Sequence, residues 1–89
     1  MPVTKSAEKR MRQTLKRTAR NRRVKSIVKT ATRRFEEAIQ SGDRELAQSR
    51  LIAAIRKIDQ AAAKGVIHKN NAARKKSRLT RLFNRFAAG

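Results

Sequence analysis

Apolar residues recur at spacings of three and four in three separate stretches of the chain. Val24, Ile27, Val28, Ala31, Phe35, Ala38 and Ile39 make one stripe, and Ala47, Leu51, Ala54, Ile55, Ile58, Ala61 and Ala62 make a second. Ala72, Leu79, Leu82, Phe83 and Phe86 make a third. That period belongs to α-helices that each bury one face. Between the stripes stand two interruptions, Ser41-Gly42-Asp43 and Lys64-Gly65, while Pro2 and Gly89 lie at the two ends. Two breaks predict three helices, so the expected fold is all-α, a three-helix bundle closed by the three stripes.

Local chemistry sharpens the boundaries. Gly42 suits the left-handed position after a helix, and Asp43 can accept bonds from the free N–H groups of the next one, whose positive end Glu45 favours. The first two helices, expected over residues 5–40 and 44–63, should therefore form an antiparallel hairpin. Gly65 repeats the stop, and His68, Asn70 and Asn71 are candidate caps before a third helix that begins at Ala72-Ala73 and runs to about Ala87.

The helix lengths do not match. At 1.5 Å per residue the first spans about 54 Å and the second about 30 Å, so roughly 16 residues of the first project past its partner. Ala7, Met11 and Leu15 fall roughly 150° from the centre of the Val24 to Ile39 stripe and do not continue the core. The chain reads as one domain over residues 1–89, with a basic helical overhang at 1–23 and a bundle at 24–87. Lys75 and Lys76 interrupt the third stripe; either they snorkel past Leu79 or the helix leaves the core there.

Charge changes this picture from a bundle to a binder. Lys and Arg number 25 against 6 acidic residues, a formal net charge of +19. Residues 1–34 hold 13 of the basic residues and one acid, Glu8, and residues 64–89 hold 8 and no acid, whereas the stretch between carries a net charge of −1. A compact chain with such an excess repels itself without a polyanionic partner. Arg22, Lys25, Lys29 and Arg33 form an outward ridge opposite the first apolar stripe. Lys5, Lys9, Arg12, Lys16 and Arg20 share one broad side of the overhang, and Arg10, Arg17 and Arg23 add to its charge. A rod of this kind can track a phosphate backbone by releasing condensed counterions. A second basic site joins Lys64, His68, Lys69, Asn70, Arg74, Lys75, Lys76 and Arg78, where Arg can fork phosphates and Asn can reach sugar or base edges. A charged helix face is ordinarily just solvated, and His68 alone is more often a cap, but here one sign of charge is almost missing.

Other classes find little support. Cys is absent and His68 is the single His, so no disulfide framework and no zinc-ligand spacing exist, and no metal or cofactor is expected. No base stands beside a nucleophile, no carboxylates pair for acid–base work and no Gly-rich phosphate loop occurs, so no enzymatic role is expected. No apolar run approaches the roughly 18 residues of a membrane span, and the start lacks a signal peptide's apolar core. The Arg-rich, acid-poor residues 1–34 share the cast of an organellar transit peptide, a minor alternative. Tyr and Trp are missing and the three Phe lie on core stripes, so recognition should rest on backbone and shape rather than on stacking platforms.

Particular residues carry a resemblance. Lys5-Ser6-Ala7 with Lys9-Arg10, Arg20-Asn21, Lys25-Ser26, Lys29-Thr30, Gly42-Asp43, and Ile58-Asp59 with Ala61-Ala62 occur in a familiar order. The run Lys64-Gly65-Val66-Ile67-His68-Lys69-Asn70, continued by Ala72-Ala73-Arg74-Lys75-Lys76-Ser77-Arg78-Leu79, weighs most. In these segments, which cover nearly the whole chain, the sequence resembles the bacterial small-subunit ribosomal protein twenty family. It departs from the family at Met1-Pro2-Val3-Thr4, where a short Ala-Asn-Ile-like start is usual, and in an Arg-rich end around Arg81 and Arg85. The resemblance implies a three-helix structural constituent of the small (30S) subunit that binds 16S rRNA directly, with Ser6, Asn21, Ser26 and Thr30 among its contacts, bridges the rRNA's 5′ and 3′ minor domains and aids assembly. It also implies bacterial or organellar ribosomes; a cytoplasmic, ribosome-associated bacterial location is the expectation adopted. The rivals are an architectural DNA binder, which charge alone permits, and a membrane-active cationic helix, encouraged by Met11 and Leu15. The unpacked overhang is expected to be largely disordered without RNA.

Overall fold

The computed structural model describes residues 5–89; the divergent Met1-Pro2-Val3-Thr4 start, and with it the first four residues of the expected overhang, lies outside them. Three helices follow in order, α1 (Lys5–Ser41), α2 (Arg44–Ala63) and α3 (Lys69–Ala88), and no strand occurs among the described residues. The all-α three-helix expectation is met, with α1 the long one at 37 residues.

The two turns form as their chemistry dictates. Gly42 takes φ +78°, in the left-handed region that side chains with a Cβ avoid, and its N–H donates to the Ile39 carbonyl at 3.1 Å. Asp43 then caps α2, its Oδ1 accepting from the Leu46 N–H at 3.1 Å. At the far end Gly65 takes φ +75°, its N–H donating to the Ala62 carbonyl while the Val66 N–H donates to that of Ala61, both at 3.0 Å. These are the paired bonds of a Schellman stop, and Val66 adds the accompanying apolar contact with the core.

The third helix starts earlier than the polar cluster suggested. His68 is its cap, with Nδ1 accepting from the Asn70 N–H at 3.1 Å, and the Ala72 N–H reaches back to the His68 carbonyl at 3.0 Å. Asn70 and Asn71 therefore lie inside the first turn rather than ahead of it. Once His68 and its own carbonyl had satisfied these donors, the helix did not need to wait for the alanines.

The core is one cluster running through all three helices: Val24, Val28, Phe35 and Ala38 of α1, Ala47, Leu51, Ala54, Ile58 and Ala61 of α2, and Ala72 and Leu79 of α3. Phe35 and Ile58 are its largest fully enclosed side chains. Three of the five buried residues of α2, Ala47, Ala54 and Ala61, are small. α3 packs chiefly on α2 and touches α1 little, so the third stripe closes less completely than the other two. Leu82, Phe83 and Phe86 are only half-buried, the two rings meeting at 6.4 Å in a tilted pair.

One assignment to the core is corrected. Ile27 is 43 % exposed, because α2 covers only part of the arc that the stripe spans and Ile27 lies at its edge, on a groove facing Ala53 and Lys57. The alternatives at Lys75 and Lys76 also resolve. Ala72 and Leu79 are buried on either side of them, so α3 stays on the core. Lys76 is half-buried and sends its ammonium to Asp59 of α2 at 2.8 Å, while Lys75 is exposed.

Every residue from Lys5 to Arg20 is exposed, Asn21 is half-buried, and Val24 is the first buried residue of α1. This projection makes the molecule 66 Å long and 22 × 16 Å across, with a radius of gyration of 17.8 Å, against about 12 Å for a compact domain of this length. From Lys5 to Arg20 the projecting segment is a continuous helix.

Candidate nucleic-acid interface

The overhang is a polar rod with one apolar strip. Lys9, Arg12, Gln13 and Lys16 enclose one shallow cleft along its surface, and Gln13, Lys16, Arg17 and Arg20 enclose the next. From Lys5 to Arg20 the cations extend over about 22 Å of helix, with Glu8 the single acid in that span. Elsewhere on the rod lie Ala7, Met11, Thr14 and Leu15. The Thr14 and Thr18 hydroxyls donate to the carbonyls of Arg10 and Thr14, each at 2.9 Å, so that neither competes for an outside acceptor.

In the bundle, the ridge and the second basic site are not separate. Lys25, Lys29 and Arg33 of α1 and Lys75 of α3 border a single groove of about 550 Å³, completed by Val28, Thr32, Glu36 and the loop residue Ile67. Sequence reasoning placed these cations on two surfaces because α1 and α3 are far apart in the chain. The short Val66–His68 connection brings the start of α3 back beside α1.

Of the sequence-predicted residues, all are exposed except Asn21, Thr30 and Lys76, which are half-buried. Ser26 and Thr30 do not join the Lys25–Lys29 face. They line a second groove of about 280 Å³ between α1 and α2, with Arg34, Arg50 and Lys57 on its border. Arg50 and Lys57 escaped notice because the middle segment was judged by its net charge; their spacing of seven, two helical turns, was the signal that puts them on one face. Lys76 is partly engaged by Asp59. Arg33 stands 3.9 Å from Glu37, both well exposed, a pair worth only a few tenths of a kcal/mol. His68 serves first as a cap. Among the described residues no cluster of metal-ligating side chains exists, and no helix is long and apolar enough to cross a membrane.

The surface is thus cationic and elongated, and among the described residues no polar or charged side chain is buried. The family model described as Ribosomal protein S20 matches residues 2–84. This chain belongs to that family. It resembles the small ribosomal subunit protein bS20 of Natranaerobius thermophilus, 58 % identical over 88 residues, which cover 99 % of this chain and 100 % of the relative. It is also similar to the protein of the same name from Pelotomaculum thermopropionicum, at 55 % identity over 96 % of this chain and 97 % of that one. The counterpart in Halothermothrix orenii is 52 % identical over 98 % of this chain and the whole of its own length. The resemblance read from the Lys64 to Leu79 run is therefore correct. Membership in this family makes the chain a structural ribosomal protein and not an enzyme.

Proposed function

We propose that this protein is a structural component of the bacterial small ribosomal subunit that binds 16S rRNA directly in the cytoplasm and aids assembly of the particle. Residues 1–89 act as one RNA-binding domain, residues 1–23 as the overhang and 24–87 as the bundle that anchors it. The rod carries Lys5, Lys9, Arg12, Lys16 and Arg20 along one RNA segment, while Lys64, Lys69, Arg74 and Arg78 meet another, so that the 5′ and 3′ minor domains are bridged. Neutralising phosphates is the mechanism.

One observation carries this reading: a helix whose residues from Lys5 to Arg20 are all exposed, in a segment with 13 basic residues and one acid. Such a helix lacks the packing that normally sustains one in water, and a polyanion supplies what is missing.

The test reverses the charge of Arg22, Lys25, Lys29 and Arg74 together and measures association with small-subunit rRNA, with duplex DNA as competitor at physiological salt. The expected outcome is loss of rRNA binding with the helical bundle intact by circular dichroism, and preference of the unmodified protein for rRNA. Undiminished binding by the variant, or displacement by DNA as readily as by rRNA, contradicts the proposal.

A further inference from the structure

We infer that the groove between α1 and the start of α3 receives one unstacked nucleotide of the bound RNA, read by Glu36 through an amino group on the base. The inference rests on the RNA-binding reading above and adds a base contact to a surface otherwise read as a phosphate track.

Three features separate this groove from the rest of the basic surface. Its volume of about 550 Å³ exceeds the roughly 280 Å³ of the α1–α2 groove and the roughly 360–380 Å³ of the clefts on the overhang. Its floor is apolar: Val28 is 6 % exposed and Ile67 is half-buried. The Thr32 hydroxyl is engaged with the Val28 carbonyl at 2.9 Å. Two clefts along the overhang are lined by Lys, Arg and Gln alone; a third beside Met11 and Leu15 and the α1–α2 groove beside Ile27 and Ala31 offer apolar surface but no acid.

The third feature is the carboxylate. Glu36 is the only acid lining the groove, and the nearby Arg33 pairs with Glu37 instead. A carboxylate in a pure phosphate site would repel its ligand. Beside an apolar floor and three lysines it does something else, because a carboxylate accepts from the exocyclic amino group of cytosine and similar edges. Lys25 lies at one end of the groove, Lys29 about one turn further along α1, and Glu36 at the other end, about 16 Å from Lys25 along the axis. The phosphate therefore sits toward Lys25 and Lys29, and the base over Val28 and Ile67 with its amino edge toward Glu36.

The experiment titrates the full-length protein with CMP, UMP and ribose 5-phosphate and follows the methyl resonances of Val28 and Ile67 by NMR. CMP is expected to shift both methyls and to bind about fivefold more tightly than UMP, the low end of base-edge discrimination, with ribose 5-phosphate leaving Ile67 unmoved. Glu36→Gln, an exposed and isosteric change, should remove the preference for CMP. Equal affinity for all three ligands, or shifts that bypass Ile67, overturns the inference. Filter binding of the same protein to small-subunit rRNA separates the two claims: rRNA bound without mononucleotide discrimination sinks only the groove, whereas absence of rRNA binding sinks the broader reading with it.

Discussion

Residues 5–23 and residues 24–41 belong to one uninterrupted helix, yet they are held by different forces. The C-terminal part buries Val24, Val28, Phe35 and Ala38 against α2 and α3, so its helicity comes from tertiary packing. The N-terminal part buries nothing before Asn21, presents Met11 and Leu15 at 64 % exposure, and repels itself through its cations. Packing against the other helices sustains the bundle part, and no such packing sustains the exposed residues from Lys9 to Arg20.

The largest way to break this contrast is Phe35→Ala. Removing a fully enclosed ring from a small core should destabilise by about 3–5 kcal/mol, comparable to the whole stability of a domain this size; urea unfolding followed by circular dichroism measures it. Hydrogen exchange reads the contrast without mutation. Amides from Lys9 to Arg20 should open at within about 1 kcal/mol of no protection, while those of Val28 to Ala38 approach the global limit. Strong protection of the rod in the free protein would erase the distinction. Gly42→Ala is smaller: a Cβ there meets nothing within 4 Å, so only the φ of +78° opposes it, at about 1–2 kcal/mol. Smallest is Leu15→Ala, which should change the unfolding free energy by no more than about 0.5 kcal/mol, although Leu is the same residue type that at position 51 or 79 anchors the core.

Much of this was legible because helices depend on local signals. The period of three and four located every buried residue, and Gly42, Asp43 and Gly65 fixed the turns through conformations only certain residues adopt or bonds only certain side chains make. What escaped the sequence was relative placement. Ile27 fits the helical period as well as Val28 does; only the width of α2 decides that one is covered and the other is not. The single groove joining Lys25 and Lys29 to Lys75 depends on how α3 returns toward α1, which a periodic pattern along each helix does not encode. The start of α3 was misplaced by three residues because His68, Asn70 and Asn71 are all competent caps, and a side-chain bond from His68 to the Asn70 N–H chose among them.

The most direct test of the account concerns how the rod binds. Binding of the protein to small-subunit rRNA should be measured over a series of salt concentrations, alongside a variant with Lys9, Arg12, Lys16 and Arg20 changed to Gln. If the rod works by neutralising phosphates, the variant keeps its thermal midpoint while its plot of log affinity against log salt becomes shallower by about one for each cation removed. An unchanged slope would mean that the exposed half of α1 does not meet the RNA backbone.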